Sequence, residues 1–291
     1  MLKIQNEFLT LTVDPHGAQM LSLRSESQTE YLWQGDAAYW GDRAPILFPF
    51  VARLTDGSYL LDGKRYPMGI HGFAAASDFV PTDLRDDAVT LVLTDSNETL
   101  RQYPFSFRFA VRYALRGRTA EITFAVDNLS EKTMPFGLGG HPGFRVPFAE
   151  GTKFEDYELK FSRPCTPDRI GFTPQVYLSG VNTRYPLVNG DTLPLDHSLF
   201  DEDAIILQNM DRTVTLRCRS SGAAVTVSAP QMPYFGFWHA PKTDAPYLCI
   251  EPWLSLPSRQ GVVEELMCKS DLVHLPPHGR YENTWSITVT E

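Results

Sequence analysis

Phe107-Arg108-Phe109-Ala110-Val111-Arg112-Tyr113-Ala114-Leu115-Arg116 sets a large apolar side chain at every second position, with arginine or alanine between. A period of two sends the two sets to opposite faces of a β-strand, whereas a helix would scatter them around its circumference. The same alternation runs through Leu9, Leu11 and Val13, then Ile122, Phe124 and Val126. It returns at Val214, Leu216 and Cys218, at Val225 and Val227, and at Trp285, Ile287 and Val289. Turn signals punctuate these runs: Asp14-Pro15-His16-Gly17, Thr55-Asp56-Gly57, Asp62-Gly63, Arg116-Gly117 and Ser221-Gly222. The 22 prolines and 20 glycines spread along the chain would break long helices. Only short ones are expected, around Asp36 to Trp40, Asn97 to Gln102 and Gly261 to Cys268. Many short strands without alternating helices predict an all-β protein of packed antiparallel sheets. No repeat, low-complexity tract or linker divides the sequence, so residues 1–291 are expected to form one domain.

With 43% hydrophobic and 21% charged residues the composition supports a large core. The 26 basic against 35 acidic residues give a formal net charge of -9, which would repel a phosphate backbone and argues against nucleic acid. No run approaches the roughly 18 apolar residues of a membrane span, and Met1 to Glu7 lacks the basic-then-apolar order of a secretion signal, so a cytoplasmic protein without a membrane partner is expected. The four cysteines, Cys165, Cys218, Cys249 and Cys268, include no Cys-x-x-Cys pair and are expected to be reduced and mostly buried.

Two histidines stand among glycines: His71 in Met68-Gly69-Ile70-His71-Gly72-Phe73, and His141 in Gly139-Gly140-His141-Pro142-Gly143. Glycine admits unusual backbone angles and close approach of a ligand, so an imidazole there is well placed for chemistry, although capping a tight turn is the plainer role. Glu251 follows Tyr247-Leu248-Cys249-Ile250 on what reads as a buried strand. Desolvation there should raise its pKa toward the range of a general base, unless an arginine pairs with it structurally. Aromatic residues crowd Tyr234 to His239, and Trp238, beside a polar residue, is the candidate to stack on the apolar face of a sugar ring while the others fill the core. His274 and His278 have metal-like spacing, but Pro276 and Pro277 preclude the helix it requires. His16 and His197 are expected to be solvated. No Gly-x-Gly-x-x-Gly, P-loop or Gly-x-Ser-x-Gly motif occurs.

Several short motifs, in order, resemble the aldose 1-epimerase family, and within it the LacX-type branch. They are Tyr31-Leu32-Trp33-Gln34-Gly35, Pro45-Ile46-Leu47-Phe48-Pro49, Ala52-Arg53-Leu54-Thr55-Asp56-Gly57, Ile70-His71-Gly72-Phe73, Gly140-His141-Pro142-Gly143-Phe144, Asp203-Ala204-Ile205-Ile206-Leu207 and Cys249-Ile250-Glu251-Pro252-Trp253. The resemblance implies a galactose mutarotase-like antiparallel β-supersandwich with a sugar cleft across one sheet. It implies His141 as the acid protonating the ring oxygen and Glu251 as the base on the anomeric hydroxyl. His71 would contact the ring side, Arg53 would orient substrate and carboxylate, and Asp203, beside Asp201 and Glu202, would grip sugar hydroxyls. The sequence departs from galactose mutarotases where Leu-His-Gly-Gly becomes Ile70-His71-Gly72-Phe73 and where the stretch after His141 is shortened.

The expected activity is interconversion of the anomers of an aldohexose, with neither metal nor organic cofactor, by a monomer or homodimer. Glu251 would rest ionised and His141 protonated, held so by Arg53 and His71. A hexose 6-phosphate epimerase would need cations at the cleft, for which Arg43, Arg145 and Arg259 are candidates. A noncatalytic carbohydrate-binding protein would keep the cleft and lose turnover. A glycosidase would need a second catalytic carboxylate, and none is evident.

Overall fold

A computed structural model describes all residues, 1–291, and its regular structure is nearly all strand, with one short α-helix. Two large sheets dominate. The nine-stranded one has Arg280–Thr290, Thr119–Asn128 and Phe107–Arg116 as antiparallel neighbours near its middle. The alternation in Phe107–Arg116 is realised: Phe107, Phe109, Val111, Tyr113 and Leu115 all lie in the core. The opposite face is drier than a half-buried strand would be, because Val92, Ala110 and Ala125 from three adjacent strands bury one another there. Between Ser58–Leu61 and Lys64–Pro67, Asp62 and Gly63 both take positive φ, as a two-residue hairpin turn requires. Thr55-Asp56-Gly57 forms a single 3-10 turn instead of a hairpin.

The eight-stranded sheet carries Glu251, and one of its strands ends just before His141. From its third strand to its far edge it runs Ile205–Gln208, Tyr234–Trp238, Tyr247–Trp253, Gly139–Gly140 and Ile46–Leu47. One core of 67 buried residues takes side chains from both large sheets and from the N-terminal three-stranded sheet. Of the three expected helices, Asn97–Gln102 is the one α-helix, closed by a capping box in which Ser96 and Thr99 bond each other's backbone N–H. Asp36 to Trp40 makes only a hydrogen-bonded turn, and Gly261 to Cys268 contributes only the 3-10 turn Leu266–Cys268. No helix is long and apolar enough to cross a membrane. All four cysteines are free; Cys218 and Cys249 are buried, Cys165 is partly so, and Cys268 is exposed.

Candidate active site

Strand alternation builds the floor of a hollow of about 400 Å³. In Tyr247–Trp253 every residue is buried, yet the two faces differ: Leu248 and Ile250 enter the main core, while Cys249, Glu251 and Trp253 face the other way. On the adjoining strand Phe235 and Phe237 enter the core, leaving Gly236 and Trp238 beside Glu251. Gly236 lies directly across from Glu251, where an added Cβ would stand 3.3 Å from the glutamate Cβ and 2.9 Å from Ile206 Cδ1. The glycine leaves the carboxyl its room.

His141 follows Gly139–Gly140 at the far side of the Glu251 strand, its N–H donating to the Pro45 carbonyl (3.0 Å). Its Nε2 lies 3.2 Å from Glu251 Oε2, and Trp253 Nε1 donates to that same oxygen at 3.1 Å. The Trp40 ring covers the imidazole, with centroids 4.9 Å apart at 35°, and Trp238 meets it nearly edge-on. The glycines around His141 serve protein packing and not a ligand. A Cβ at Gly139 would meet Trp253, one at Gly140 would meet Trp285 at 2.7 Å, and one at Gly143 would meet Trp40.

His71 reaches the hollow from another direction, with its ring 5.6 Å from that of His141 and nearly perpendicular to it. It sits at φ 62, and Gly72 at φ 77 packs its α-carbon against the Phe48 carbonyl, where a Cβ would come within 2.3 Å. The Ala52 N–H donates to His71 Nδ1 (3.1 Å), which fixes the neutral tautomer with the proton on Nε2. Burial, followed by the Arg53 charge, lowers the His71 pKa to about 4. His71 is therefore a neutral hydrogen-bond donor at neutral pH.

Burial likewise pushes Glu251 well above the usual carboxylate range, against the bond from Trp253 and with help from the Asp203 charge. It pushes His141 well below the usual imidazole range, as does the proximity of His71. His141 Nδ1 has no hydrogen-bond partner among the protein's atoms. Both directions run against the expected resting state, Glu251 ionised and His141 protonated. The two shifts favour one shared proton, held on Glu251 and accepted by a neutral His141.

Asp203, in a left-handed conformation at φ 83, is the one of the three adjacent acids that lines the hollow. Asp201 and Glu202 line a neighbouring cavity. Arg53 lines the hollow too, but its guanidinium donates to the Gln175 carbonyl (3.2 Å) instead of clamping Glu251. Trp238 is in the lining, as expected. The sequence reading missed Trp40, which it took only as a helix end, and the bond from Trp253 to Glu251. Trp40 carries no local signal; it is brought in by a turn on Asp36 and by Trp33 Nε1 donating to its carbonyl (2.8 Å).

Arg43 is occupied with the Leu21 carbonyl and Gln34, Arg145 is exposed, and Arg259 is paired with Glu264. None of the three lines the hollow, so the cations expected for a phosphate are not gathered there. His197 is not solvated: its ring stacks on Phe154 at 4.0 Å and its Nδ1 lies 3.2 Å from Nε2 of the buried His239. His16 is exposed beside Asp78, and His274 and His278 point to separate partners. Donor atoms of His141, Cys249 and Glu251 lie within 4.8 Å of one another and could in principle hold a metal ion. Burial, and then the Glu251 charge, raise the Cys249 thiol well above its ordinary pKa.

Residues 1–264 match the profile of the family described as aldose 1-epimerase. The chain is 33% identical over 296 residues to the chromosomal protein LacX of Lactococcus lactis subsp. lactis, covering 99% of both. A galactose mutarotase related enzyme from Lactobacillus acidophilus superposes with a TM-score of 0.95 at 34% identity, over 100% of this chain and 97% of that one. A galactose mutarotase-like protein from Lactobacillus casei gives 0.93 at 31% identity, over 100% of both chains.

Proposed function

The chain belongs to the aldose 1-epimerase family, and on that premise we propose that it interconverts the α and β anomers of an aldose by general acid-base catalysis. The observation that carries this reading is the contact of His141 Nε2 with Glu251 Oε2, at 3.2 Å, on the floor of a hollow walled by Trp40, Trp238 and Trp253. The shared core supports treating residues 1–291 as one domain.

Mutarotation moves one proton off the C1 hydroxyl and another onto the ring oxygen. The pair already holds the one proton needed. Sugar hydroxyls entering the hollow solvate the charged tautomer, so the proton shifts from Glu251 to His141 with no net uptake. Glu251 then takes the O1 proton as C1=O1 forms and the C1–O5 bond breaks, and His141 protonates O5. The aldehyde turns about C1–C2, and the same steps in reverse close the ring on the other face. His71, fixed as an Nε2–H donor, and Arg53 hold hydroxyls, Asp203 accepts from others, and the tryptophans cover the apolar ring faces. No covalent intermediate is required, since acid-base assistance is worth roughly 10² to 10⁴ in rate.

The test is polarimetry or NMR exchange on a panel of aldoses. Glu251→Gln and His141→Ala should each lower kcat by about 10²-fold or more with an unchanged circular dichroism spectrum. Full activity in Glu251→Gln, or sugar binding by calorimetry without any acceleration in the wild type, would sink the proposal.

A further inference from the structure

His197 and His239 meet outside the hollow, and the proton transfers above use neither. His239 follows directly on Tyr234–Trp238 and is fully buried. Its Nδ1 lies 2.8 Å from the Ala240 carbonyl, which can only accept, so Nδ1 carries a proton and donates. Burial lowers the His239 pKa to about 4, which leaves its Nε2 bare at neutral pH. His197 Nδ1 stands 3.2 Å from that Nε2 and is therefore the donor. Phe200 packs on the His239 ring, with centroids 4.5 Å apart, and Phe154 covers the His197 ring face to face.

The two histidines join segments that supply different parts of the hollow's wall. His197 opens the 3-10 turn His197–Phe200, capped by Asp196, whose Oδ1 accepts from the Ser198 N–H at 2.9 Å. Backbone bonds then run on to the wall: the Asp201 N–H donates to the Ser198 carbonyl (3.3 Å), and the Asp203 N–H to the Phe200 carbonyl (3.0 Å). Asp203, at φ 83, holds a conformation that a residue with a side chain keeps only where its surroundings fix it. On the other segment, Trp238 precedes His239 and lines the hollow. The ladder between Ile205–Gln208 and Tyr234–Trp238 ends at Ile205 opposite Phe237, short of both Asp203 and Trp238. Beyond that last pair the side-chain bond from His197 to His239 ties the two segments together.

We propose that His197 and His239 are positioning residues, whose mutual hydrogen bond sets Asp203 against Trp238 and thereby the affinity of the hollow for sugar hydroxyls. This rests on the mutarotase reading above. Asp203 and Trp238 hold the sugar in the ground state and the transition state alike, so loosening them raises KM and spares kcat. The test uses two variants at His197, which is partly exposed. His197→Phe keeps the ring stack on Phe154 and deletes the donor; His197→Asn places an amide N–H where Nδ1 stood and gives up the stack. Polarimetry on the aldose that the wild type accelerates most gives kcat and KM for each. His197→Phe should raise KM about three- to tenfold, the order of one hydrogen bond, with kcat within about twofold. His197→Asn should keep both constants within about twofold of the wild type, a rescue that a packing role for the ring would not allow. An unchanged KM in His197→Phe would overturn the inference alone, as would equal weakening in the two variants or a loss of kcat in either. Acceleration of no aldose by the wild type would overturn the mutarotase reading and this inference with it.

Discussion

Replacing Trp253 by Phe removes the one N–H that bonds Glu251 Oε2, at 3.1 Å, while keeping an aromatic ring against the floor of the hollow. That bond holds the Glu251 pKa down against burial, so it stabilises the ionised carboxylate that the ring-opening step uses. Hydrogen bonds to charged groups contribute about 1.5–3 kcal/mol. Where the charged tautomer is the minor form, its population falls by the corresponding factor, about 10- to 150-fold at 1.4 kcal/mol per tenfold, and kcat falls with it. KM should change little, because the sugar keeps His71, Arg53 and Asp203. Glu251 also becomes harder to ionise, so the alkaline limb of the pH-rate profile moves to higher pH. Polarimetric initial rates across pH, with kcat and KM separated, provide the assay. An unchanged kcat with the alkaline limb in place would show that the charge on Glu251 is not what the reaction uses.

The wild-type profile should be a broad bell. Activity falls on the acid side when His141 takes a second proton and on the alkaline side when Glu251 gives up its own. Burial lowers the first from 6.5 and raises the second from 4.5, which moves the two limbs apart, and an alkaline limb at the usual carboxylate value would refute the shared-proton pair. Gly140→Ala should lower stability by about 1–3 kcal/mol in urea titrations, because the new Cβ would sit 2.7 Å from Trp285 Cζ2 and that ring is buried; an unchanged midpoint would refute the packing role of Gly140. His239 is fully buried with a pKa near 4, lowered mainly by burial, so the unfolded chain binds its proton first. Its stabilising contribution is complete above pH 6.5 and is lost as pH falls toward 4, by up to about 3 kcal/mol. His71 adds to the same loss. His239→Phe should flatten part of that decline, and an unaltered slope would show that His239 does not cause it.

The period of two in Phe107–Arg116 was enough to predict a β protein, since side-chain direction along a strand is local geometry. Short motifs around His71, His141 and Glu251 likewise marked the residues that the hollow brings together, because glycine-flanked histidines and a carboxylate on an apolar strand stand out from their neighbours. What those glycines are for was not legible. Their missing side chains are replaced by Trp253, Trp285 and Trp40, which arrive from elsewhere in the chain. The sequence likewise could not separate Asp203 from Asp201 and Glu202, nor show that Arg53 spends its hydrogen bond on Gln175. Nor could it show that Trp40 covers His141.

Local alternation and residue type were thus set by the chain alone: an all-β protein, with His141, Glu251 and His71 singled out as its candidate site. Tertiary structure alone decided the desolvation of His141 and Glu251, the wall of tryptophans and the neighbouring cavity. Desolvation, ring contacts and enclosed volume depend on which distant segments are brought together, and one-dimensional spacing does not encode those distances.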